Sequence, residues 1–64
     1  MIINGKKRDL PSGILLPLLL EQEGYQAGRV AVERNGEIVP RSAYTHTVLE
    51  ETDTLEIVHF VGGG

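Results

Sequence analysis

Short apolar runs alternate with polar, glycine-bearing breaks along the chain, and this rhythm predicts its elements in turn. Met1-Ile2-Ile3, then Asn4-Gly5, then Lys6-Lys7-Arg8-Asp9-Leu10 reads as two strands joined by a two-residue turn, because Asn-Gly supplies the positive φ of a type I′ hairpin. Pro11-Ser12-Gly13 closes the unit as a loop. Residues 14–24 read as one short helix with Pro17 in its first turn, where a missing N–H costs nothing, and with Gly24 as the left-handed stop. Leu16, Leu19 and Leu20 share a face of that helix and are assigned to the core.

Beyond a loop at residues 25–28, residues 29–34 are a strand that Asn35-Gly36 turns back into Glu37-Ile38-Val39 as a second hairpin. Pro40 stops that strand. Residues 41–45 are irregular, with room for a single helical turn, and Thr47-Val48-Leu49 either adds a brief strand or only packs into the core. Glu50-Glu51-Thr52-Asp53 turns the chain into a last strand over residues 54–61. Period-two alternation places Leu55, Ile57 and, at half-burial, His59 on one face, with Glu56, Val58 and Phe60 on the other. Apolar residues on both faces imply a central strand, or one whose outer face is an interaction surface. The order hairpin, helix, hairpin, irregular connection, last strand is that of an α+β domain of β-grasp type, a mixed sheet of four to five strands with one main helix on one face.

Composition narrows the chemistry. A chain of 64 residues supports one small core and no enclosed active-site cavity, and with no Cys it has neither disulfides nor thiolate metal sites. Packing alone must stabilise it, and the lack of Cys fits a reducing cytosol, so a cytoplasmic location is expected. The run at residues 14–20 is too short for a bilayer and is broken by Pro17, so no membrane association is expected. A net charge of −3 argues against nucleic acid, since the one basic cluster, Lys6-Lys7-Arg8, reads as a solvated edge strand guarded against aggregation. His46 and His59 lie in different elements without a third ligand, so no metal site is expected. The glycines at the end precede no helix and make no phosphate loop, and no nucleophile with its base is visible.

The end of the chain carries the strongest functional signal: Phe60-Val61 runs directly into Gly62-Gly63-Gly64. Glycine has no Cβ, so such a tail can thread a slot too narrow for other residues. Residues 1–61 are thus read as the domain and residues 62–64 as a flexible tail reaching roughly 10 Å beyond it.

The blocks 30–41 (VAVERNGEIVPR) and 53–64 (DTLEIVHFVGGG), with Leu19-Leu20-Glu21, resemble the ThiS family of ubiquitin-like sulfur carriers of thiamine biosynthesis. The resemblance covers most of the chain after Pro17, whereas the first hairpin matches only in outline. It departs at Thr52-Asp53, where the family usually has Gly-Asp, which bears on the local turn. The glycine tail is shared with the larger molybdopterin synthase small subunit.

The resemblance implies chemistry done to the chain rather than by it. A ThiF-like adenylyltransferase would use ATP and Mg²⁺ to convert the Gly64 carboxylate to an acyl adenylate. A persulfide donor would then supply the sulfur of a thiocarboxylate, with Gly62 and Gly63 as the threaded tail. A ThiG-like thiazole synthase would accept that sulfur. The chain itself would bind no cofactor and would be a monomer when free. Docking is assigned to the sheet face opposite the helix, with Val58 and Phe60 as anchors and Arg41 at the rim; Phe60 packed against a neighbouring strand is the equal alternative. A ubiquitin-like modifier joined to lysines through the same tail, or a molybdopterin-synthase-type carrier, is the competing function.

Overall fold

In the computed structural model, residues 1–60 are described. Strands β1 (Ile2–Ile3) and β2 (Lys6–Lys7) form the first hairpin. Strand β3 (Ile14–Leu15) leads into helix α1 (Leu16–Gln22), and a 3-10 turn at Ala27–Arg29 precedes β4 (Val30–Arg34) and β5 (Glu37–Ile38). A second 3-10 helix at Arg41–His46 is followed by β6 (Val48–Leu49) and β7 (Thr54–His59). The main sheet has the order β2-β1-β7-β4-β5, parallel only between β1 and β7, while β3 and β6 pair antiparallel as a separate ribbon. This is the mixed β-grasp sheet with one main helix, and β7 is its centre.

Both hairpins turn as the Asn-Gly pairs predict, with φ of 52° and 81° at Asn4 and Gly5 and 52° and 86° at Asn35 and Gly36. The helix starts at Leu16 rather than Ile14. A start at Ile14 would set Pro17 in the fourth helical position, where its ring meets a carbonyl and its missing N–H breaks a helical bond. The two residues ahead pair instead with β6, and Gly13 N–H to Leu49 O (2.8 Å) and Leu16 N–H to Thr47 O (2.9 Å) extend that pairing. Of the two readings of residues 47–49, the strand is the one found. Gly24, at φ 86°, ends the helix, and Gly24 and Tyr25 N–H bond back to Glu21 and Leu20 O.

Leu16, Leu19, Leu20, Val30, Val32, Leu49 and Leu55 are fully buried, so the helix stripe, the inner faces of β4 and β7, and the ribbon close one core. No helix among the described residues is long and apolar enough to cross a membrane.

The strands are short, and side chains complete their ladders. The Asn4 side chain accepts from Ile57 N–H (2.7 Å) and donates to Ile57 O (3.1 Å), standing in for the peptide group that β1 lacks there. On the far side of β4, Tyr44 OH (3.1 Å) and Arg41 Nη2 (3.4 Å) donate to Val30 O. Buried peptide groups beyond a strand's end are thereby satisfied.

Candidate functional site

The outer face of the sheet is built by parity. In the β4–β7 register Ala31 faces Val58 and Glu33 faces Glu56, while Glu33 also pairs with Ile38 of β5. These residues look away from α1, because their neighbours Val32 and Ile57 point into the core. The result is an apolar patch in which Ile38 is 76%, Val58 60% and Phe60 54% exposed. Glu33 and Glu56 sit directly opposite each other and both are exposed, an arrangement that disfavours the free sheet by like-charge repulsion.

Phe60 lies one residue past β7, and its N–H still bonds to Arg29 O at 3.0 Å, so the strand direction is held to the last described residue. Its ring is not in the core: the Arg41 guanidinium lies 5.2 Å from its centroid and 5.7 Å from that of Tyr44. Arg41 also donates to Ala27 O at 3.2 Å. Of the two readings of Phe60, the exposed one is found, and the exposed Arg41 lies against its ring.

His59 is exposed rather than half-buried. The strand ends at that residue, beyond the cover of the helix, and its ring stands against Tyr25 with centroids 5.2 Å apart. His46 is exposed too, on the second 3-10 helix. Gly62, Gly63 and Gly64, the predicted tail and sulfur attachment point, lie outside the described residues, as does Val61, the predicted end of the strand.

A polar clamp that the sequence reading did not single out fixes the entry to β7. Asp53, 5% exposed, accepts from Glu50 N–H (2.8 Å), Asn35 Nδ2 (3.0 Å) and Arg34 Nε (2.9 Å), and pairs with Arg34 Nη2 at 2.8 Å. Burial pushes its carboxyl up, but the hydrogen bonds from Glu50, Asn35 and Arg34, with the Arg34 charge, outweigh it and hold the pKa below the usual value. Thr52 needs no positive φ in this turn, so the departure from Gly-Asp is accommodated without strain. The only sequence signal for the clamp is an Asp immediately before a strand; its side-chain partners, Arg34 and Asn35, come from the second hairpin. Ile38 was missed as a surface anchor although the Asn-Gly turn fixes its register with Glu33.

A β-grasp sheet whose central last strand leads toward a run of glycines defines a class, the ubiquitin-like carriers. The model of the ThiS family matches residues 1–64. The chain is 44% identical over 64 residues to a thiazole synthase of Paramagnetospirillum magneticum, covering 100% of this chain and 20% of that protein. It is 54% identical over 35 residues to the sulfur carrier protein ThiS of Bacillus subtilis, covering 55% of this chain and 53% of that one. The crystal structure of a thiamine biosynthesis protein (ThiS) from Geobacter metallireducens superposes with a TM-score of 0.77 at 35% identity, covering 98% of this chain and 96% of that one. The chain thus spans about a fifth of the thiazole synthase it matches, and nearly all of the Geobacter protein. It belongs to the ThiS family.

Proposed function

We propose that the chain carries sulfur as a thiocarboxylate on Gly64 and delivers it to a thiazole synthase. The observation that supports this most is that β7, the strand leading to Gly62, is the centre of the sheet and bonded on both flanks. The folded part is a rigid handle for the residues that follow. A free carboxylate resists nucleophiles through its charge and resonance, so activation must come first. Attack of the Gly64 carboxylate on the α-phosphorus of ATP, with Mg²⁺ held by a ThiF-like adenylyltransferase, expels pyrophosphate. The terminal sulfur of a persulfide donor then attacks the acyl carbon and AMP leaves. A second thiol cleaves the S–S bond by disulfide exchange and leaves the sulfur on Gly64.

The match to about a fifth of a thiazole synthase supports a ThiG-like acceptor, since a stretch like this chain is covalently part of that protein. In this reading the apolar outer face, with Ile38, Val58 and Phe60 as anchors, meets the partner while Gly62 and Gly63 thread its slot. Gly63→Val tests the threading. No described core residue changes, so thermal unfolding should be unaltered, while two added methyls block a narrow slot and pyrophosphate release with the cognate adenylyltransferase should fall at least tenfold, about 1.4 kcal/mol. A normal rate would refute the slot.

A further inference from the structure

Among the described residues, β7 is left open on its β1 side at His59, three residues before the first of the threaded glycines. Asn35 N–H to Thr54 O (2.8 Å) and Phe60 N–H to Arg29 O (3.0 Å) fix which residues of β7 bond to β4. By the alternation of an antiparallel ladder these are residues 54, 56, 58 and 60, so the peptide groups of Leu55, Ile57 and His59 point the other way, toward β1. Leu55 O accepts from Asn4 N–H at 2.9 Å, and Ile57 is closed at both its groups by the Asn4 side chain. His59 lies one step further along, past the end of β1, and no described residue bonds its N–H or C=O on that side. The notch is walled by Asn4 and Tyr25, whose side chains bond at 3.2 Å, and by the Tyr25 ring against His59. A pocket of about 190 Å³ that shares Asn4 and Tyr25 and is lined also by Ile3, Lys6, Arg8 and Glu23 adjoins it.

An exposed donor and acceptor in extended backbone are what an incoming strand pairs with. We infer that an extended main-chain segment of the enzyme that takes up the C-terminal residues adds to β7 at His59, in line with β1, and seats one side chain in the adjoining pocket. This inference rests on the sulfur-carrier reading, because the occupant is the enzyme receiving residues 61–64. Continuity favours it over a second copy of the chain: any partner that threads Gly62 to Gly64 must pass alongside His59. Pairing there aligns the departing chain with the partner's backbone, while the apolar outer face supplies the bulk of the contact.

The test begins with the free chain, in which the His59 amide should exchange with solvent much faster than those of Ile57 and Val58 on the same strand. On saturation with the cognate adenylyltransferase or thiazole synthase, its exchange should slow by at least tenfold. His59→Pro removes the donor at a position where the sheet does not use it, so the variant should stay folded yet bind the enzyme about tenfold more weakly, as for loss of one hydrogen bond at an interface. A synthetic chain with an ester in place of the Val58–His59 amide repeats the deletion while keeping the imidazole, and an ester before Glu51 serves as the control. Thermal unfolding of each separates loss of fold from loss of pairing. Protection of His59 in the free chain, or unchanged affinity of a folded His59→Pro or ester variant, would overturn the inference while thiocarboxylate formation stood. If neither enzyme binds the unaltered chain, the carrier reading fails and the docking inference falls with it.

Discussion

Asp53 is the buried charge of the described structure, and its three donors come from the preceding turn and the second hairpin. Because its folded pKa lies below the unfolded value, the carboxylate form stabilises the fold. That contribution is complete above the unfolded value of about 4 and is lost as pH falls through it toward the folded pKa. The unfolding free energy should therefore drop on acidification below about pH 4, and Asp53→Asn should flatten this dependence while lowering stability at neutral pH by about 1–3 kcal/mol. Denaturant titrations at a series of pH values measure both. An unchanged acid slope in Asp53→Asn would show that the clamp does not govern acid sensitivity. Arg41 acts at the same scale: it joins the rings of Phe60 and Tyr44 to the carbonyls of Ala27 and Val30, coupling the second 3-10 helix to the end of β7.

At the scale of elements, Phe60→Ser separates handle from anchor. Its ring is half-exposed and rests on Arg41, so the substitution should cost folding less than the roughly 3 kcal/mol of a buried aromatic, and partner affinity more than about 1 kcal/mol. Calorimetric unfolding beside a binding isotherm distinguishes the two, and a large stability loss with unchanged affinity would move recognition elsewhere. The hairpins, the leucine face of α1 and the outward parity of Val58 and Phe60 were legible in the sequence, because Asn-Gly turns and apolar periodicity act over a few residues. The pairing of Ile14 and Leu15 with Val48 and Leu49 was not, since it joins segments more than thirty residues apart and no local pattern separates a two-residue strand from the first turn of a helix. The Asn4, Asp53 and Arg41 contacts were hidden for the same reason: each closes a ladder or turn on a distant element. His59 was misplaced because alternation gives the face but not where the helix stops covering it.

For the whole molecule, the same economy appears in fold and function. A domain of 64 residues has about 3–10 kcal/mol of stability to hold its sheet together. It does so with one leucine-rich core and side chains that finish short strands, and its outer face and the open end of its central strand remain exposed. Those exposed features lie at the end of β7 that precedes residues 61–64 in sequence, which is where the proposed function puts recognition and delivery. The central claim is that the chain's C-terminal carbon carries the sulfur. Intact-mass and fragment-ion measurement after incubation with ATP, Mg²⁺, the cognate adenylyltransferase and a persulfide source tests it directly. The account predicts that one oxygen is replaced by sulfur, located at Gly64, in a product that thiol-directed alkylators capture although the chain has no Cys. An unchanged mass, or an amide bond from Gly64 to a lysine in place of sulfur, would contradict it.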